Sequence, residues 1–308
     1  MASPVSSLKK AASGALICVR WNMRMLLKNV RFFLGLLMGF GICFFLTEKV
    51  VYFSRFMGTD LQIFEPFIWC FGDSDSVLFA SLALLLPLSQ IPRLDASASY
   101  LIFRTGRKSW VAGQLITVLL VSVFYTVFLL AASCLMSLGR VFTENRWSDT
   151  ATAMSYAPVY IKTAITMVRR TVRQFTPYEC VSMVFFLLLQ YMVFLSMMNL
   201  TVSLIFGKKA GLQTVMGLSF IFCFLSPDRF MDWLKLEKNL AYVANLISAW
   251  ISPLQHATYA MHSNGYDHLP QIGVSHALFT GLNLILLFLS FCFSQRITFI
   301  FRRGEEDS

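Results

Sequence analysis

The fold is decided by Val181–Phe206, which reads VSMVFFLLLQYMVFLSMMNLTVSLIF and contains no Asp, Glu, Lys, Arg or His. A bilayer core takes about 20 helical residues to cross, and this stretch is longer. It is apolar on every face, whereas a strand of a membrane barrel alternates apolar and polar residues. In hydrocarbon the backbone must bond to itself, which a helix does within one segment. The stretch therefore predicts a transmembrane helix.

Five further apolar runs accompany it, among which Val77–Ile91 and Leu212–Leu225 fall short of a full crossing. The composition agrees, since 56% of the residues are hydrophobic, 14% are charged and the mean hydropathy is +0.64. These features predict an all-α polytopic membrane protein with six transmembrane helices, in a single membrane domain over residues 1–308. The other five runs are Phe32–Leu46, Val77–Ile91, Trp110–Leu138, Leu212–Leu225 and Gly273–Ser294.

Basic residues set the predicted orientation. With six spans and both termini in the cytosol, the inner segments hold 15 of the 26 basic residues and four acidic ones, while the outer segments hold 11 basic and 12 acidic residues. Cytosolic loops carry an excess of Lys and Arg, so a multi-pass protein of the cell (plasma) membrane with cytosolic termini is predicted. The net charge of +10 is thus a signal of topology. No basic face with interleaved aromatics stands clear of the membrane, which excludes nucleic acid as a partner.

Three segments outside the spans have features of their own. Ala12–Asn29 carries apolar residues at helical spacing and basic residues on another face, which predicts a helix in the cytosolic membrane interface. Gly139–Glu179 is a long external loop, with a surface helix predicted over Ala157–Thr176. Ala241–Met261 is apolar but is broken by Pro253, and each half is too short to cross a bilayer. It predicts a re-entrant helical pair on the outer side.

The inner segment Pro92–Ser109 is too long for a tight turn and too polar for a span. It combines four basic residues with apolar ones such as Tyr100 and Phe103. Gly106 is expected to end a helix before Trp110 restarts one at the interface. Two interpretations stay open: a positively charged loop that only fixes topology, or a helix that docks a cytosolic partner.

Weakly polar residues recur along three of the predicted spans. Such residues commonly join helices through hydrogen bonds, and they can also line a substrate path. Both interpretations stay open, and they can overlap. The candidate path residues are Gln114, Ser122 and Tyr125 in the third span, Asn199 and Ser203 in the fourth, and Thr280 and Asn283 in the sixth.

Motifs of catalysis are absent from the sequence. It contains no Gly-rich phosphate loop ending in Lys and Ser or Thr, no H-E-x-x-H pair and no G-x-S-x-G elbow, so no catalytic residue is predicted. His256, His262 and His268 do not share a helix face, and no metal site is predicted. Cys70 and Cys180 both fall on the predicted outer side and could form a disulfide. The spans also lack carboxylates, which argues against an ion-coupled carrier.

In the order of its elements the chain resembles the permease (transmembrane) subunit of ABC-2-type ABC transporters. The shared features are a basic N-terminal interfacial helix, six spans, a cytosolic coupling helix between spans two and three, and a re-entrant pair between spans five and six. The stretch Tyr100–Trp110, YLIFRTGRKSW, continued by Gly113 and Gln114, resembles segments of permease-like proteins from Gram-positive bacteria.

The resemblance implies a transmembrane subunit that does not hydrolyse ATP and carries no cofactor of its own. ATP and Mg would bind to a separate ABC ATPase subunit, and a second permease copy or a homologue would complete the transporter in the lipid bilayer. Export of a peptide, a lipid-linked molecule or a drug-like compound is implied. The alternative is a non-transporting membrane sensor or immunity protein of the same fold. The residues assigned to coupling with the ATPase are Tyr100, Phe103, Arg104, Gly106 and Arg107.

Overall fold

The computed structural model describes residues 4–93, 96–156, 169–235, 240–263, 265 and 267–294. Almost all of this part of the chain is helical, with one short parallel pair of strands. The helices are α1 Pro4–Leu26, α2 Val30–Met57, α3 Glu65–Phe71, α4 Ser74–Leu88, α5 Ala96–Thr105, α6 Arg107–Ser137, α7 Asp149–Tyr156, α8 Arg169–Gln174, α9 Pro177–Phe206, α10 Lys208–Phe224, α11 Pro227–Leu234, α12 Ala241–Ile251, α13 Pro253–Ala257, a 3₁₀ turn Tyr259–Met261 and α14 Ile272–Phe293; the strands are β1 Leu61–Gln62 and β2 Val141–Phe142.

Four helices within the described residues are long and apolar enough to cross a membrane: α2, α6, α9 and α14. The short helix α3 and the following α4 make a fifth crossing if they count as one span, although they meet at an angle of 89°. The chain is therefore an all-α membrane protein with four or five candidate spans, and the prediction of six spans is not confirmed. The difference lies in α10, predicted as a span over Leu212–Leu225, which is a helix of 17 residues and falls short of the roughly 20 that a crossing takes.

The centre of the bundle is formed by α6 and α9. In the most apolar 18-residue stretch of each helix, 50% of α6 and 61% of α9 are buried, whereas only 28% of α2 and 11% of α14 are. Small residues allow the helices to approach closely around this centre. A Cβ atom on Gly113 of α6 would lie 2.5 Å from the Cβ of Cys18 on α1, and one on Gly35 of α2 would lie 2.6 Å from the Cδ of Pro87 on α4.

The two ends of the bundle differ. At the first, which we call the α5 end, lie α5, the N-termini of α2 and α6 and the C-terminus of α4; Arg31 Nη1 donates to Ser89 Oγ across 3.5 Å between α2 and α4. At the second, the strand end, Leu61 of β1 pairs with Val141 of β2 and joins the connections that follow α2 and α6. Residues 295–308, whose charges were counted with the inner segments, lie outside the described residues.

The predicted interfacial helix is part of α1, but it does not lie alone on a surface. Its face of Ala15, Cys18 and Leu26 is buried, and Asn22 Nδ2 donates to Thr117 Oγ1 of α6 across 3.1 Å. Leu16, on another face of the same helix, is 65% exposed. The buried face of α1 therefore packs along α6.

The long segment Gly139–Glu179 is anchored at the strand end by a buried carboxylate. Glu65, the first residue of α3, accepts hydrogen bonds of 2.7 Å from both the backbone N and the Oγ of Ser148, and its side chain is fully buried. Ser148 Oγ in turn accepts from Ala151 N at the start of α7. Residues 157–168, which include most of the predicted surface helix, lie outside the described residues.

The predicted helical pair over Ala241–Met261 is present as α12 and α13, which are separated at Ser252 just before Pro253. Leu254 and Ala257 of α13 are buried. The hydroxyl of Ser252 lies 3.4 Å from the carbonyl oxygen of Phe222 on α10. The pair therefore joins the strand end of the bundle to the far end of α10.

Candidate functional site

The helix α5 exposes its largest apolar side chains. Phe103 is 96% exposed and Tyr100 is 80% exposed, whereas Ala98 and Ile102 are buried. A surface helix of a soluble protein turns its aromatics inward. Here the small residues face the bundle and the aromatics face outward, so the exposed face is available for a contact outside the described chain.

The buried face of α5 holds it firmly against α1 and α6. Thr105 Oγ1 lies 3.6 Å from Cys18 Sγ of α1 and donates to the Leu101 carbonyl across 2.7 Å. A Cβ atom on Gly14 of α1 would lie 3.1 Å from the Cβ of Ser109 and 3.2 Å from that of Thr105. Thus α5 is a fixed helix at this end, and its outward face has a defined orientation.

A single glycine connects α5 to the central helix α6. Gly106 has φ 86° and ψ 152°, a conformation open almost only to glycine. The predicted break at Gly106 is therefore present, and α6 begins directly after it at Arg107. One residue therefore joins α5 to the start of α6.

A second glycine has nearly the same conformation. Gly207 joins α9 to α10 with φ 93° and ψ 162°, and it is followed by Lys208 and Lys209 as Gly106 is followed by Arg107 and Lys108. Each glycine thus stands just before a basic pair, a similarity that is visible in the sequence only once the two helix breaks are known.

The basic residues of the segment lie beside the exposed aromatics. Arg104, Arg107 and Lys108 are exposed, and the guanidinium of Arg93 lies 5.5 Å from the centre of the Trp21 ring on α1. We call the group Tyr100, Phe103, Arg104, Arg107 and Lys108 the α5 surface. Aromatic and Arg side chains together are the common anchors of protein interfaces.

Five of the seven candidate path residues are buried in the bundle on α6 and α9, but they contact different neighbouring helices. Ser122 Oγ and Ser196 Oγ lie 2.9 Å apart and join the two helices. Asn199 Nδ2 donates to the carbonyls of Leu88 and Ile91, both across 3.3 Å. The five residues, all buried, are Gln114, Ser122, Tyr125, Asn199 and Ser203.

Three members of this group lack hydrogen-bond partners among the described residues, and Ser203, through its Oγ, is one of them. Among the described residues, neither polar atom of the Gln114 side chain has a hydrogen-bond partner, and the same holds for the Tyr125 hydroxyl. A Cβ atom on Gly39 of α2 would lie 2.7 Å from that hydroxyl, so the ring reaches across to α2. The core of the bundle around α6 and α9 therefore contains polar groups without hydrogen-bond partners among the described residues, which both interpretations of the polar residues allow.

The other two candidates do not join the group. Thr280 is exposed and donates to the His276 carbonyl of its own helix across 2.7 Å, and Asn283 is half-buried on α14. Gln190 of α9 contacts α14 at His276 Nδ1 across 2.7 Å and at Thr280 Oγ1 across 3.5 Å. These residues join α9 to α14, and sequence reasoning missed Gln190 because its partners are far away along the chain.

A histidine network lies at the strand end. Ser275 Oγ, near the start of α14, lies 2.8 Å from both His256 Nδ1 and His262 Nε2. His262 Nδ1 lies 2.9 Å from the Thr258 carbonyl, and His256 Nε2 lies 3.4 Å from the Trp250 carbonyl. Sequence reasoning considered both histidines but could not identify Ser275 as their common partner.

Hydrogen-bond chemistry fixes the protons in this network. A carbonyl only accepts, so His262 Nδ1 must carry hydrogen and its Nε2 accepts from the Ser275 hydroxyl. The Ser275 oxygen then accepts from His256 Nδ1. One hydrogen thus serves each of the three contacts of 2.8–2.9 Å. The remaining contact, from His256 Nε2 to the Trp250 carbonyl, has no hydrogen and is the longest at 3.4 Å. Burial also lowers the pKa of both histidines, that of His262 to about 4, so both rings are neutral.

The arrangement of a serine beside a histidine is that of a nucleophile and its base. Ser275 is fully buried, however, and His262 is nearly so, so a substrate cannot reach the hydroxyl in this conformation. Within the described part of the chain, no three side chains of His, Cys, Asp or Glu come together to hold a metal ion. The network therefore joins α14 to the preceding segment.

The disulfide considered between Cys70 and Cys180 is not formed. Both thiols are free and buried. Cys70 Sγ lies 3.6 Å from Thr47 Oγ1, and Cys180 Sγ donates to the Tyr259 hydroxyl across 3.3 Å. Cys70 lies on α3 and Cys180 on α9, and each has its own hydrogen-bond partner.

Comparisons with known proteins leave the family open. No family model matches the chain, and no curated protein and no solved structure is significantly similar to it.

Proposed function

We propose that this chain is the transmembrane subunit of an ATP-driven ABC transporter, and that the α5 surface docks a separate ATPase subunit. The observation that carries the proposal is the exposure of Phe103 and Tyr100, 96% and 80%, on a helix whose opposite face is packed. ATP and Mg act on the partner subunit. The α5 end faces the cytosol, where the partner is found, and a second copy or a homologue completes the transporter.

Contact with lipid along a membrane-spanning helix does not explain why Tyr100 and Phe103 are exposed. Exposed aromatics on α2, such as Phe45, are expected because lipid is as apolar as they are. The helix α5 has only 10 residues and cannot cross a bilayer. Arg104 follows Phe103 directly, and Arg107 and Lys108 follow within one turn. A protein surface with both apolar and acidic groups would match this face, and desolvated aromatic and Arg anchors contribute most to such interfaces.

The contacts of α5 suggest how the partner would act on the bundle. The single residue Gly106 separates α5 from α6, and α6 packs against α9 through the Ser122–Ser196 contact. Closure of two ATPase subunits would push on α5 and tilt α6 relative to α9, which is a rigid-body switch between two states. The buried polar residues between α6 and α9 would be exposed in one of those states. The proposed cargo of this core is a peptide, a lipid-linked molecule or a drug-like compound, and the proposed direction is export.

Co-purification tests the proposal. The tagged full-length protein is extracted from native membranes in mild detergent, and co-purifying proteins are searched for the phosphate-binding motif G-x-x-x-x-G-K-[ST]. A subunit with this motif and vanadate-sensitive ATP hydrolysis are expected with the native chain. The double variant Phe103→Ala, Arg104→Ala should lose both while keeping its elution volume and its thermal stability.

The opposite end of the bundle offers a matched control. Phe224 is 65% exposed, and the guanidinium of Arg229 lies 4.6 Å from the centre of its ring. The double variant Phe224→Ala, Arg229→Ala removes the same two residue types and should co-purify with the ATPase as the native chain does. Normal capture by the α5 variant would contradict the docking role. A native chain that binds an external ligand and never captures an ATPase would favour the sensor or immunity alternative.

A further inference from the structure

A groove opens on the outside of the bundle between α2 and the start of α4. Its volume is about 490 Å³, within the range of small-molecule sites. Its apolar walls include Phe45 of α2 and Phe79 of α4, which are 67% and 57% exposed. The groove follows α2 from Met38 to Leu46, roughly 12 Å at 1.5 Å per residue.

Gly41 keeps the groove open. No atom lies within 4 Å of the place where its Cβ would be, whereas a Cβ on Gly35 or Gly39 of the same helix would meet α4 or α6 side chains at 2.6 Å and 2.7 Å. The two close glycines are explained by helix packing. Helix packing does not explain Gly41, because this residue borders the groove and a side chain there would enter the open space.

Two carboxylates lie at one end of the groove. Asp73 caps α4, where its Oδ2 accepts from Asp75 N across 3.2 Å, and Asp75 is exposed in the first turn. Both residues line the groove. Among the described residues, neither carboxylate forms a salt bridge. Two negative charges thus lie side by side at the strand end of an apolar groove.

We propose that this groove binds a single-chain amphiphile with a cationic headgroup. The chain lies along α2 over Gly41 and between Phe45 and Phe79, and the headgroup lies between Asp73 and Asp75. A cation there offsets the repulsion of the two carboxylates, and the chain packs against the apolar walls through van der Waals contacts. The proposed site depends only on the groove, so it is expected whether or not the protein works with an ATPase.

Equilibrium binding of a labelled amphiphile tests the site. The probe is radiolabelled dodecyltrimethylammonium, added to the full-length protein in nanodiscs of zwitterionic lipid. Saturable binding at one site per chain is expected. Unlabelled dodecyltrimethylammonium should displace the probe, whereas dodecyl sulfate and dodecyl maltoside, which have the same chain, should compete at least about tenfold less well, because only the cationic headgroup meets the carboxylates.

Two sets of variants separate the apolar contact from the charge. Gly41→Leu should abolish probe binding by filling the groove, and the helix should tolerate it because Leu is a better helix former than Gly. The control is Gly217→Leu on α10, where a Cβ also meets nothing within 4 Å. Asp73→Asn with Asp75→Asn should weaken binding roughly tenfold. Asn is as good an N-cap as Asp, so this variant keeps the cap of α4.

The outcomes are distinct. Equal competition by the three amphiphiles would mean that the groove holds an ordinary lipid chain, and it would overturn the proposal. Unchanged binding to the Gly41→Leu variant would place the probe elsewhere and would also overturn it. Thermal unfolding of each variant in the same nanodiscs shows whether a loss of binding reflects a loss of fold; if Gly41→Leu unfolds, the Asp73→Asn, Asp75→Asn variant decides.

Discussion

The side-chain amide of Asn199 on α9 lies 3.3 Å from the carbonyl oxygen of Leu88, the last residue of α4. It lies at the same distance from the Ile91 carbonyl. The last carbonyls of a helix have no partner within the helix, and inside a bundle they have little access to water. Asn199 therefore caps α4 from a neighbouring helix. This contact is the kind expected of a polar residue that joins helices.

Replacing Asn199 by Leu should lower the free energy of unfolding by about 1 kcal/mol, because the Ile91 carbonyl loses the amide donor and the Leu88 carbonyl keeps only the backbone N of Ile91. Asn283→Leu on α14 is the matched control, since its Oδ1 has no hydrogen-bond partner among the described residues. Unfolding in mixed micelles of increasing dodecyl sulfate content measures both. Equal losses for the two variants would contradict the capping role.

Gly106→Ala and Gly207→Ala should each destabilise the protein by roughly 1–3 kcal/mol, since a Cβ is strained in the conformation of these two residues. Gly281→Ala should be neutral or stabilising, because that glycine is inside α14 with open space around it and Ala favours helix. Thermal unfolding in detergent gives the three values. A neutral Gly106→Ala would mean that α5 and α6 can be joined in another conformation.

The histidine network predicts a loss of stability in mild acid. Burial lowers the pKa of His262 to about 4, against about 6.5 in an unfolded chain. Between these values the unfolded state binds more protons, so stability rises with pH and falls as the pH drops from about 6.5 towards 4. One group contributes at most about 1.4 kcal/mol per pH unit.

Unfolding curves at pH 4.5, 5.5 and 6.5 measure this dependence. His262→Asn, which keeps a donor for the Thr258 carbonyl but does not titrate, should be less stable at pH 7 and should show a flatter pH profile. His268→Asn, on an exposed position nearby, should keep the native profile. An unchanged slope in the His262 variant would show that other groups carry the acid sensitivity.

Ser148→Ala should release the start of the long segment. The substitution removes a hydroxyl that donates to Glu65 and accepts from Ala151 N, and a buried carboxylate that loses a donor costs about 1–3 kcal/mol. Limited proteolysis between residues 139 and 156 should become faster. Ser155→Ala is the control, because its hydroxyl bonds only within α7, to the Thr152 carbonyl. Equal protection of both variants would contradict the anchoring role of Glu65.

The long spans could be predicted because local sequence determines them. A run such as Val181–Phe206 has no polar group that could bond to the backbone instead, so a helix follows from hydrocarbon alone. The break at Gly106 followed from the one residue type that tolerates it.

Other features depend on contacts between distant parts of the chain. Ser275 meets His256 and His262 only after the chain turns back between α12 and α14, and Glu65 meets Ser148 across 83 positions. No local pattern marks such pairs. The buried position of Asn22 was missed for the same reason: its partner Thr117 is on another helix. The six predicted spans are not confirmed, because α10 has only 17 residues and α3 and α4 meet at an angle of 89°.

Photo-crosslinking from position 103 tests the docking role of α5 most directly. Benzoylphenylalanine in place of Phe103 keeps the aromatic ring at the most exposed point of the α5 surface, and the same residue in place of Phe224 is the control at the other end. We expect irradiation of intact native membranes to join position 103, and not position 224, to a protein that carries the G-x-x-x-x-G-K-[ST] motif. Crosslinks from position 103 to lipid alone would contradict the docking role and would leave α5 as a membrane-interface helix.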